Sequence, residues 1–258
     1  MRIIDLSSPV DASAWEPNPV VHETMSHAEG AEHMAAEMRE HLGIDFDPSA
    51  LPGGELLSLG TLTLTTHTGT HVDAPAHYGS AAAYGRPRTI DEMPLDWFVR
   101  PGIVLDLTGE PVGALGAGAL ERAFEKAGRG PDPMDIVLLH TGADRHAGTP
   151  EYFTSFSGLD RKATETLLDL GVRVIGTDAF SLDAPFGDMI ERFHATGDRD
   201  VLWPAHMLGR EREYCQIERL ANLGELDPRG RFTVVCLPVR IAGGDAGWSR
   251  TVALLDGD

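Results

Sequence analysis

His67-Thr68-Gly69-Thr70-His71-Val72-Asp73-Ala74-Pro75-Ala76-His77 carries three imidazoles and a carboxylate within eleven residues, all at odd positions. In an extended chain alternate side chains point to the same side, so these four groups would share one face. Gly69 lets backbone or substrate approach closely, and Pro75 rules out a regular central strand beyond it. The stretch therefore reads as a strand that turns into a loop. Imidazole nitrogen together with carboxylate oxygen suits zinc, manganese or iron(II). Two histidines and one aspartate leave positions open for water, which is the arrangement of a catalytic site rather than a closed structural one.

Working outward, Thr61-Leu62-Thr63-Leu64-Thr65-Thr66 alternates with period two and reads as a strand running into the histidines. Short apolar runs at 103–107, 136–139, 172–175 and 232–237 suit buried strands, with a final strand at 252–255. Residues 117–127 and 160–170 read as helices, stopped by Gly128 and Gly171. Strands alternating with helices indicate an α/β class, and no linker or repeat divides residues 1–258 into independent domains. Met34, Met38 and Leu42 recur at four-residue spacing, which predicts a helix over 31–42 ending at Gly43. It lies in a segment, about 20–52, that reads as an insertion or lid; His22, His27, His33 and His41 within it read as surface residues.

The formal charge of −19 repels phosphate backbones and anionic membranes, so neither nucleic acid nor membrane is an expected partner. No apolar run is long enough to span a bilayer, Asp5 interrupts any signal-like start, and a cytoplasmic location is the default expectation. Cys215 and Cys236 read as packed thiols.

The histidine stretch resembles the bacterial kynurenine formamidase family, also called the cyclase family of metal hydrolases, which includes the isatin hydrolases. Its pattern H-x-G-T-H-x-D-x-P-x-H is matched at every fixed position. Ile4-Asp5-Leu6-Ser7, the run Asp135 to Gly142, the run Gly176 to Asp183, and His206 followed by Glu218 and Leu220-Ala221-Asn222-Leu223 extend the resemblance over most of the chain. The resemblance implies a single-domain swivelling β/β/α fold in a homodimer or homotetramer. It implies His67, His71 and Asp73 as ligands of one divalent metal, zinc or manganese. Asp73 would bridge to a second ion held by His206 and Glu218, and His77 would be the general acid/base. Without the resemblance, His206 reads as a packed loop histidine and Glu218 as one surface carboxylate among many. A continuous helix would set Glu218 about 120° around from His206, so the chain must bend, with Gly209 a candidate place.

The implied activity is metal-dependent hydrolysis of a non-peptide C–N bond in an amide, formamide or lactam of a small, aromatic substrate. Trp15 and Trp248 are the candidate substrate contacts, and Arg250 could meet an anionic group. The long 22–51 region and the Ala14-Trp15-Glu16-Pro17 context depart from kynurenine formamidases. Two alternatives follow: a metal-dependent cyclase or dehydratase of aromatic or polyketide metabolism, and a non-catalytic metal- or ligand-binding protein on the same scaffold.

Overall fold

The alternating and the continuous apolar runs form strands. They are Arg2–Asp5 (β1), Val21–Met25 (β2), Leu59–Thr63 (β3), His71–Asp73 (β4), Val99–Asp106 (β5), Gly113–Leu115 (β6), Ile136–His140 (β7), Ser157–Leu159 (β8), Val174–Thr177 (β9), Cys215–Glu218 (β10), Phe232–Val235 (β11), Ala246–Trp248 (β12) and Val252–Leu255 (β13). The helices are His27–Glu37 (α1), Pro75–Tyr78 (α2), Ala117–Ala127 (α3), Arg161–Asp169 (α4), Phe186–Thr196 (α5) and Pro204–Leu208 (α6). The computed structural model describes residues 1–255. The α/β class is as expected, and α3 ends as anticipated at Gly128, whose φ of +72° is open to glycine at little cost. Helices α5 and α6 were not foreseen.

The chain divides into two compact units: residues 1–10, 14–16 and 66 onward form the first, residues 11–13 and 17–65 the second. In the first unit, a mixed sheet runs β1-β13-β11-β5-β7-β9-β10-β4-β12. Its centre, β5-β7-β9-β10, is parallel, and β4 and β12 continue it antiparallel. Pleating divides the apolar residues between two cores. Ile103, Leu105, Val137, Leu139 and Ile175 pack with Leu120 and Ala123 of α3 and with Leu167 and Leu168 of α4. Val72, Val104, Ile136, Leu138, Val174 and Ile217 fill the opposite face. Val72 and Ile217 thus leave His71, Asp73 and Glu218, one residue to either side, on the helix-bearing face.

The second unit holds the 20–52 segment. Its β2 and β3 pair antiparallel, and Ser26 caps α1 in a reciprocal box with Glu29. The helix begins earlier than predicted for this reason. The predicted Met34–Leu42 stripe is not its buried face: Gly30, Ala31 and Ala35 are buried, and Met34 and Leu42 are exposed. Gly30 lies so close to the Leu57 carbonyl that a β-carbon would sit 1.8 Å from the oxygen, which selects a small-residue face there. His22, His27, His33 and His41 are exposed, as expected.

Candidate metal centre and substrate cavity

The site lies where β10 meets β4, at the carboxyl end of the parallel strands, the usual place for ligands in open α/β sheets. Antiparallel register sets Glu218 directly opposite His71, and Gln216 opposite Asp73. Only His71 and Asp73 share a face through strand alternation. A turn at Gly69, φ +66°, brings His67 in from before the strand, and α2 carries His77 after it. The expected strand leading straight into the motif is not formed, because β3 ends at Thr63.

Nδ1 of His71 donates to the Gly69 carbonyl at 2.8 Å, since a carbonyl can only accept. In the neutral ring this leaves Nε2 as a lone pair, 3.3 Å from Asp73 Oδ1 and 3.7 Å from Glu218 Oε2. His67 Nδ1 lies 3.0 Å from the same Asp73 oxygen. Yet His71 Nε2 and both Asp73 oxygens are buried without a contact of hydrogen-bond geometry. A fully buried carboxylate left in that state costs several kcal/mol, so the donor set fits a cation between the ligand atoms. His67, His71 and Asp73 offer ligand atoms all within 4.8 Å of one another.

His206 stands beside them on α6. Asp183, fully buried, accepts from the Ala205 amide at 2.6 Å and lies 2.5 Å from His206 Nδ1, turning Nε2 toward Glu218 at 3.9 Å. Asp183 is therefore the carboxylate that orients the His206 imidazole. Asp178 is also buried and accepts from Thr141 and Gly142. The predicted bend between His206 and Glu218 falls where α6 gives way at Gly209. Two further sets of mutually close donors are Asp73, His77 and His206, and His67, His77 and Asp245, while Glu218 stands 3.9 Å from His206 Nε2 and 3.7 Å from His71 Nε2. Glu218 Oε1 accepts the Leu182 amide at 2.9 Å.

Charge balance at the centre is uneven. Burial works to raise Asp73, but the surrounding imidazoles, His71 first, hold it well below the usual carboxylate range. Burial and the Asp73 charge push Glu218 up. Burial pulls His67 and His206 down, yet facing carboxylates outweigh it and lift both to about 9. Burial lowers His77, which stays a neutral imidazole near neutral pH. Its Nδ1 lies 3.3 Å from Asp245, which also meets His67 Nε2 at 3.0 Å. Asp245 was missed: it lies 168 residues beyond His77, and only the pairing of β12 with β4 brings it in. Arg219 was missed too. Its buried guanidinium pairs with Glu16 and donates to the His67 carbonyl at 3.2 Å.

A cavity of about 390 Å³ opens onto these groups, lined by His67, His71, His77, His206 and Glu218 and by Tyr78, Phe180, Ser181, Phe186, Trp203, Met207 and Arg210. Trp203 holds φ at +48°, a strained conformation for a bulky residue, and places its indole on the wall beside Phe186. Neither predicted tryptophan lines this cavity. Trp15 packs on Phe153, which meets Phe180 behind the wall. Trp248, at the edge strand β12, lines a separate cavity with Asp5, Ser8 and Arg250, where Arg250 is paired with Asp5 at 2.6 Å.

The family model described as "Putative cyclase" matches residues 4–184. The chain belongs to the cyclase family. A kynurenine formamidase of Salinibacter ruber is 30% identical over 203 residues, covering 76% of this chain and 79% of that protein. This cyclase-family chain is a metal-dependent hydrolase of non-peptide amide C–N bonds. Its fold is shared with isatin hydrolase A of Labrenzia aggregata, at TM-score 0.73 and 23% identity, covering 99% of this chain and 94% of that one. Isatin hydrolase A of Ralstonia solanacearum aligns at TM-score 0.72 and 23% identity, with 99% and 92% covered.

Proposed function

We propose that this cyclase-family chain hydrolyses an aromatic formamide or cyclic amide. The observation that carries the reading is one cavity joining the His67–His71–Asp73 donors to an aromatic wall of Phe180, Phe186 and Trp203. In this proposal His67, His71 and Asp73 hold a divalent cation, zinc or manganese, and Asp73 shares a second with His206 and Glu218. Such a cation, when bound, polarises an amide carbonyl and lowers the pKa of water to about 7. His77 does the proton transfer. Asp245 accepts from its Nδ1, so Nε2 is the basic atom that takes a proton from water and returns it to the leaving nitrogen. The aromatic wall holds the ring and excludes water from it.

The same proposal includes a homodimer or homotetramer in the cytoplasm. Val21, Leu59 and Leu62 of the β2–β3 ribbon are exposed, and a two-stranded ribbon is marginal in water without a cover. Cys215 and Cys236 are free and buried, which suits a reducing compartment. Among the described residues no helix is long and apolar enough to cross a membrane.

The test is elemental analysis of protein purified without added metal, followed by incubation with N-formylkynurenine, isatin and simple aryl lactams. Hydrolysis of at least one, abolished by a chelator, is expected. Cyclisation or dehydration of an aromatic precursor, with the whole amide panel untouched, would replace this reading with the cyclase one.

A further inference from the structure

The run Arg210-Glu211-Arg212-Glu213 begins four residues after His206. Three of its charges pair with other elements: Glu211 with Arg161 at 2.6 Å, Arg212 with Asp169 at 2.9 Å, and Glu213 with Arg88 at 2.7 Å. Arg210 makes no ion pair among the described residues, although the chain holds 40 acidic residues. It lines the substrate cavity instead, where the other basic side chains are the imidazoles of the metal centre.

Its guanidinium is held at one end. Nε donates to the Tyr78 carbonyl at 2.5 Å, and Gly79 leaves room for this: a β-carbon there would lie 2.7 Å from Nε. With Nε engaged, the Nη1–Nη2 edge remains, and that edge matches the two oxygens of a carboxylate. The Arg210 amide still bonds back to Met207, so the turn that carries His206 continues to Arg210. Residues four apart on such a turn lie on one face, about 5–6 Å between β-carbons. Arg210 thus lines the same cavity as His206 and His77, with Phe186 and Trp203 among its other lining residues.

Resting on the hydrolase reading above, we propose that Arg210 receives a carboxylate that the substrate carries away from the cleaved bond. The enzyme is then selective for anionic aromatic amides. The anion-binding role that the sequence offered to Arg250 passes to Arg210, because Arg250 is already paired with Asp5.

The experiment compares formanilide with its ring-carboxylated counterparts on metal-loaded wild-type protein and on the variants Arg210→Gln and Arg210→Lys. Benzoate and benzamide are titrated into the same proteins. Wild type is expected to favour the carboxylated substrate by roughly 10–100-fold in kcat/KM, mostly through KM, as a charge-assisted pair contributes. Arg210→Gln erases that preference, and Arg210→Lys keeps part of it. Benzoate binding weakens in Arg210→Gln more than benzamide binding does. The proposal is overturned if wild type shows no preference. It is equally overturned if Arg210→Gln lowers both substrates alike, which would leave Arg210 as a prop for the Tyr78 backbone. Should no formanilide be cleaved at all, the hydrolase reading fails, and the benzoate titrations still decide the role of Arg210: unchanged benzoate affinity in Arg210→Gln refutes it.

Discussion

Oδ2 of Asp183 stands 2.5 Å from Nδ1 of His206, with both side chains buried. The carboxylate fixes which nitrogen of the ring carries the proton and which faces the metal centre. Asp183→Asn presents an amide that cannot hold the ring in the same way. A loss of about 10–100-fold in metal affinity is expected, as for other carboxylates behind ligand histidines. Metal titration against a competing chelator measures it, and unchanged affinity would remove Asp183 from the site.

His77 is neutral and close enough to Asp73 and His206 to be either a proton carrier or a ligand. His77→Ala is expected to lower kcat by about 10²–10⁴-fold, the usual worth of a positioned acid/base, with bound metal retained. Turnover and metal content on the same sample separate the roles. Loss of metal along with activity would make His77 a ligand.

Glu218 decides the number of ions. If it completes a second site with Asp73 and His206, Glu218→Gln drops the metal content from two equivalents to one. A wild-type value of one equivalent, unchanged in the variant, would show that Glu218 serves the Leu182 amide and the electrostatics of the pocket alone.

Metal affinity is expected to rise with pH. His67 and His206 hold their protons up to about 9, and a ligand nitrogen must release its proton to bind. Calorimetry in buffers of different ionisation enthalpy should show proton release on metal binding at pH 7. The metal-free protein has the opposite sign. A raised histidine pKa gives stability that is full below the ordinary value near 6.5 and is lost as pH climbs toward about 9. Chelated protein should therefore have a falling Tm over that window.

Gly158 packs against the backbone that carries Asp183: a β-carbon there would lie 2.2 Å from the Asp183 carbonyl carbon. Gly158→Ala should cost about 1–3 kcal/mol of stability as an overpacking change, and it should weaken metal binding too. Denaturant melts with and without metal check both effects. A variant as stable as wild type would mean that the 157–159 and 182–184 segments can part without cost.

Much of this was legible in the chain. Val72 is apolar between His71 and Asp73, and that alternation puts those two on one face, whereas Glu218 read as a surface carboxylate because the strand at 215–218 was not foreseen. The helix at 117–127 was fully visible, because its 3.6-residue period and glycine stop are local. The helix at 186–196 was not foreseen, although Phe186, Met189, Ile190 and Phe193 recur at helical spacing and Gly197 follows as a stop.

What the sequence determined by itself is the chemistry of the centre: three imidazoles and a carboxylate in a stretch that cannot remain a regular strand past Pro75. Tertiary structure alone decided which groups meet them. Asp245 arrives through β12, Asp183 through the loop after β9, and Arg210 through the turn after α6, while Trp15 and Trp248 are carried elsewhere. The physical reason is that alternation and helical period act between near neighbours. Strand pairing joins residues far apart in the chain, and no spacing rule records which two strands will lie side by side.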